Sequence, residues 1–137
     1  MRFRRNNSQL AVILLCIICS GCETPTDRKR LEVLRQMAAE TPPPIGFVEL
    51  SRGDLAKSTG AIVSISYRSS LPFDEVKAFY VKALEGKGWG APEDKVQRYW
   101  TGPNRRDLTF HKGEYSIKIS RDDNSQKYNV NFLWEPK

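Results

Sequence analysis

The sequence predicts an α+β fold: a two-layer sandwich in which one main amphipathic helix covers an antiparallel sheet of about four to five strands, behind an N-terminal tether. Three observations carry this prediction. Val76, Phe79, Tyr80, Ala83 and Leu84 recur at the i, i+3, i+4, i+7, i+8 spacing of a single apolar helix stripe. Val63, Ile65 and Tyr67 alternate with Ser64, Ser66 and Arg68, the period of two of a half-buried strand. Beyond residue 107, three further alternating runs follow one another across short connections, the pattern of an antiparallel meander.

The chain of 137 residues has room for one domain. It opens with Arg2, Arg4 and Arg5, and no acidic residue precedes Glu23. The apolar run Leu10–Cys19 comes next, then the small residues Ser20 and Gly21. A cationic start, a short apolar middle and a small-residue exit make up a secretory signal, expected over residues 1–21. A membrane-spanning helix needs roughly 20 apolar residues to cross a core of about 30 Å, and this run has about half of that. Three of the 22 basic residues lie in this segment, which leaves 19 against 16 acidic ones, so the formal charge of +6 falls to +3. Much of the basicity is thus a targeting feature and no nucleic-acid partner is expected.

The residues Cys19-Ser20-Gly21-Cys22 resemble a lipobox, the cleavage site of bacterial lipoprotein precursors. The resemblance implies a thioether-linked diacylglycerol on Cys22, an added acyl chain of the palmitate type, and cleavage that makes Cys22 the first residue. Leucine is the usual residue of that class where Cys19 stands. Glu23 is not the aspartate that retains such proteins in the inner membrane. In a Gram-negative cell the resemblance therefore implies the outer membrane, facing the periplasm. No cysteine occurs after Cys22, so the domain is expected to be held by its core without disulfides.

Residues 22–46 are expected to form the lipidated tether, and residues 47–137 the small α+β domain. In the tether, Thr26 is the expected N-cap with Asp27 in the first turn, and Leu31, Leu34, Met37 and Ala38 line one face of a short helix. This helix could lie on the membrane through Arg28-Lys29-Arg30, pack on the domain, bind a partner, or stay a solvated linker. Pro42-Pro43-Pro44 ends it and favours an extended spacer. A short strand over 47–50 follows, and Arg52-Gly53-Asp54 is expected to turn. Pro72 should lie near the first position of the main helix, and Asp74 and Glu75 suit its dipole. Gly86 and Gly88 stop that helix, with Trp89 folding back. Strands are then expected over Val96–Trp100, around Leu108 and Phe110, over Tyr115–Ile119 and over Tyr128–Trp134. All three tryptophans, Trp89, Trp100 and Trp134, are expected in the core. The pattern of residues 61–134 also resembles small domains of bacterial lipoproteins, a resemblance that implies no activity.

Chemistry is sparsely signalled. His111 is the only histidine, so a zinc site of several His and Cys ligands cannot be built, and no cofactor or metal site is expected. His111 alternates away from Leu108 and Phe110 and is expected in solvent. The pairs Asp74-Glu75, Glu93-Asp94 and Asp122-Asp123 have simpler roles in helix starts and turns than as paired acids. The leading expectation is a non-catalytic, membrane-anchored envelope module that binds another envelope protein or a cell-wall component. One alternative is a lipid-anchored hydrolase using His111 with Asp107 or Glu114. Another is an anion- or lipid-binding module using Arg98, Arg105 and Arg106.

Overall fold

The computed structural model describes residues 24–137. The expected signal segment 1–21 and the expected lipid site Cys22 lie outside the described residues. Two helices and six strands follow in the order α1 (Pro25–Glu40), β1 (Val48–Lys57), β2 (Gly60–Arg68), α2 (Phe73–Leu84), β3 (Glu93–Gln97), β4 (Arg105–Lys112), β5 (Tyr115–Asp122) and β6 (Lys127–Trp134). The strands form one antiparallel sheet in the spatial order β1-β2-β6-β5-β4-β3. After the β1–β2 hairpin the chain leaves along α2, starts again at the far edge with β3, and works back until β6 closes against β2. The α+β class holds, with six strands instead of four to five and a second helix in the helical layer.

Register sets the two faces. Ile65 faces Val130, which faces Ile119, which faces Leu108, and the next row holds Val63, Phe132, Ile117 and Phe110. All eight are 2 % exposed or less. Phe73, Val76, Tyr80 and Leu84 of α2 are buried with them. Phe73, at the helix start after Pro72, extends the stripe by one turn. Phe47 adds a third aromatic layer at one end, its ring centroid 5.4 Å from Tyr67 and 5.0 Å from Tyr128.

The helix expected within the 22–46 tether, α1, takes one of the placements open to it and packs on the domain. Leu31, Leu34 and Ala38 are buried in the same core, and the helix packs on β1, β2 and β6. Arg30 lies 3.6 Å over the Trp134 ring, and Arg35 donates to Asp54 of β1 at 2.6 and 2.9 Å. The apolar stripe expected for a tether helix is thus a core stripe. Its N-cap is Thr24, not Thr26: the Asp27 backbone N–H donates to Thr24 Oγ1 at 3.2 Å, and Thr24 N–H donates to Asp27 Oδ2 at 3.1 Å. This reciprocal box satisfies two otherwise orphaned helix-end donors. Hydrogen bonding from Thr24, with help from Arg30, holds the Asp27 carboxyl below the usual carboxylate range.

Three local expectations are also corrected. Arg52-Gly53-Asp54 runs through strand β1 instead of turning, with Arg52 paired to Glu49 and Asp54 to Arg35. The strand expected over 96–100 lies at 93–97, because its partner β4 begins at Arg105 and pairs that residue with Gln97. Beyond Gln97 the chain has no partner and loops, which carries Trp100 out of the core; its side chain is fully exposed. Trp134 is buried and Trp89 is partly buried against the core.

Candidate functional site

Both helices lie on one face of the sheet, so the opposite face is covered by no other element among the described residues. Alternation places polar side chains at its centre, Ser64 and Ser66 from β2, Asn129 and Asn131 from β6, and Lys118 and Ser120 from β5, with Ile62 and Leu133 towards one end. Ser64 Oγ donates to Asn131 Oδ1 at 2.7 Å, and Ser66 Oγ to Asn129 Oδ1 at 2.8 Å. Each pair uses the amide oxygen and leaves the amide nitrogen as a spare donor. The centre of the face is a ladder of hydroxyls and amides, where a solvent-facing sheet often carries long charged side chains.

On the β4 side of this ladder sits Asp107, only 3 % exposed although no helix covers it. Its Oδ2 accepts from Gln97 Nε2 at 2.6 Å and from Lys118 Nζ at 2.8 Å. Its Oδ1 is enclosed and has no hydrogen-bond partner among the described residues. A buried acceptor left unsatisfied costs about 1–3 kcal/mol. The chain of contacts continues outward, since Tyr99 Oη donates to Gln97 Oε1 at 2.7 Å. Tyr99 is 47 % exposed and its neighbour Trp100 fully so, which puts two aromatic surfaces in the loop bordering the polar face.

The three arginines of the anion-binding expectation do not converge. Neighbouring residues in a strand point to opposite faces. Arg105 donates to Asp122 at 2.9 Å beside the polar face. Arg106 lies on the helix side, with its guanidinium 4.6 Å over the Phe73 ring and ion pairs to Asp94 at 2.7 Å and Asp74 at 2.9 Å. Arg98 is exposed in the following loop. Arg106 acts as a clasp from β4 to α2. Together with Lys77, which reaches Asp94 at 2.9 Å, it holds the Asp94 carboxyl well below the usual range.

His111 is half-exposed, as its alternation predicts, with Nε2 3.7 Å from Glu93 Oε1, beyond direct hydrogen bonding. Asp107 shares its face but lies four residues up the same strand, about 14 Å away at 3.4 Å per residue. Its contacts are to Gln97 and Lys118, so the His111–Asp107 pairing is not assembled. Glu114 accepts from Trp134 Nε1 at 3.2 Å. A shallow cleft of about 180 Å³ does bring His111, Glu114 and Ser116 to one place, with Ser116 directly across from His111. No hydrogen bond joins these three side chains. Ser116, Gln97 and Lys118 are absent from the sequence-based candidates, and Asp107 enters them only as a partner for His111, because cross-strand register decides their neighbours. Of the acidic pairs, Asp74 and Glu75 sit in the first turn of α2, and Glu93 and Asp94 point to opposite faces of β3. No cluster of three or more His, Cys, Asp or Glu side chains able to hold a metal ion occurs among the described residues. No described helix is long and apolar enough to cross a membrane. The chain matches no protein-family model, no curated protein and no solved structure.

Proposed function

We propose that this chain is a lipid-anchored protein of the cell envelope, attached through Cys22, whose folded part is a non-catalytic binding module for a cell-wall polymer. The anchor rests on the signal-like residues 1–21 and the lipobox-like Cys19–Cys22. With Glu23 after the cysteine, the proposed site is the outer membrane facing the periplasm of a Gram-negative cell. The observation that carries the binding role is the uncovered sheet face. Paired serines and asparagines with spare amide donors, bordered by Tyr99 and Trp100, suit a ligand rich in hydroxyls and amides. A protein partner of ordinary interface chemistry would call for a more apolar centre.

The α1 packing sharpens where such a ligand would have to be. Only Glu23 separates Cys22 from the Thr24 cap, a span of at most about 7 Å. The domain would therefore sit at the bilayer surface, and its reach would be its own diameter. The test is retention of the detergent-purified mature protein on washed, protein-free cell-wall polymer. The expected result is retention by the parent chain and loss in N129L/N131L. No retention by the parent chain, or unchanged retention by the variant, would refute the ligand assignment. A second reading, a lipid-anchored hydrolase, has one observation in its favour: the cleft joining His111, Glu114 and Ser116. It requires ester or amide hydrolysis by the parent chain that H111A abolishes.

A further inference from the structure

The two edges of the sheet differ in kind. β3 is five residues long and consecutively charged at Glu93, Asp94 and Lys95. Short, charged edges resist pairing with another strand. β1 is ten residues long and exposed at every position except Ala56, with Val48, Leu50 and Leu55 each about half exposed. Only a register shift between Glu49 and Ser51 interrupts it, so residues 51–57 form a regular ladder on β2 whose outer side is unpaired.

The sequence of that ladder is complementary to itself. In an antiparallel pair of identical strands about a two-fold axis, the axis position fixes every partner. With the axis at Gly53, Arg52 of one copy faces Asp54 of the other, twice over; each Asp54, held by Arg35 of its own chain, would gain a second cation, and each Arg52 would exchange its exposed pairing with Glu49 of its own chain. With the axis at Arg52 or Asp54, two like charges would meet on it. Gly53 also removes bulk at the crossing point, and a Cβ added there would meet nothing within 4 Å. Arg52 and Asp54 register with Ile65 and Val63, so both cross-strand ion pairs would lie on the helix side, leaving the polar faces contiguous. We infer that β1 is a homodimer interface, pairing with β1 of a second copy about Gly53 to join two six-stranded sheets into one. This inference stands independently of the lipid anchor and of the wall ligand.

The test uses the full chain purified in detergent and a thiol-to-thiol cross-linker with a reach of roughly 10 Å, a distance that spans directly opposed residues of paired strands. G53C should give a cross-linked dimer. K57C should not, because the two copies of residue 57 would lie about 27 Å apart at 3.4 Å per residue. The unsubstituted chain serves as the blank for Cys16, Cys19 and Cys22. In parallel, R52D should weaken the dimer at least tenfold by light scattering, while E49Q, which removes only the partner of Arg52 within its own chain, should not, with circular dichroism confirming that each variant is folded. A monomeric parent chain, equal cross-linking of G53C and K57C, or capture of a different polypeptide by G53C would overturn the proposal. So would a dimer indifferent to R52D.

Discussion

Leu34→Ala distinguishes a structural α1 from a tether helix. Leu34 has no exposed surface and lies between α1 and the sheet. The substitution removes three carbons' worth of buried apolar surface, about 2 kcal/mol at roughly 0.8 kcal/mol per methylene. The residual cavity raises the loss to about 3 kcal/mol, within the range of about 2–5 kcal/mol for a buried leucine. For the 114 residues from 24 to 137, an unfolding entropy of about 2.1 cal/mol/K per residue gives roughly 0.24 kcal/mol/K, so the midpoint should fall by about 12 °C. Val33, on the outer side of the same helix at 37 % exposure, provides the control, and Val33→Ala should cost less than about 1 kcal/mol. Thermal and urea unfolding followed by far-UV circular dichroism measure both. If Leu34→Ala loses no more than Val33→Ala, α1 is an ornament and the domain begins after it.

The remaining predictions concern the clasp and the exposed loop. The Asp94 carboxyl is depressed by Arg106 and Lys77, so its stabilisation is fully present above the unfolded value near pH 4 and is lost as pH falls towards the folded value. Asp94→Asn should cost about 1 kcal/mol at pH 7, a modest figure for a partly solvated pair, and should flatten the fall in stability between about pH 4 and pH 2. A variant curve parallel to the parent curve in that range would contradict the assignment. Of the three tryptophans only Trp100 is fully exposed, so Trp100→Phe should remove most iodide-quenchable fluorescence while leaving the melting midpoint within about 2 °C, since exposed side chains contribute within about 0.5 kcal/mol. Quenching unchanged in the variant would mean that Trp100 is covered in solution.

Much of the fold was legible because apolar periodicity survives into packing. The alternation of Val63, Ile65 and Tyr67, and of Tyr128, Val130, Phe132 and Trp134, names the buried face of β2 and β6 directly. The stripe from Val76 to Leu84 does the same for α2. What the pattern could not reveal was which face of which partner each stripe meets. Leu31, Leu34 and Ala38 read equally as a membrane, partner or core face, and only the tertiary contact with the sheet decides. Beyond the short strand expected over 47–50, β1 was hidden because its edge position leaves almost every side chain exposed, so no alternation marks it. Trp100 misled because a large aromatic after Val96 imitates a core strand, whereas the paired strand starts too late to hold it. The polar face was visible as Ser64, Ser66, Asn129 and Asn131, yet its meaning depended on β6 lying beside β2, a pairing between segments more than 60 residues apart. Asp107, written between Arg106 and Leu108, gave no sign of burial; register with β5 and contact from Lys118 and Gln97 bury it.

The central claim, that a binding domain is held at the membrane by one modified cysteine, is tested most directly by metabolic labelling with a radiolabelled fatty acid in parent and Cys22→Ser chains. The account predicts label on the parent chain, shortened by 21 residues, and neither label nor cleavage in the variant. An unlabelled parent chain, or a Cys22→Ser chain still labelled and cleaved, would contradict it.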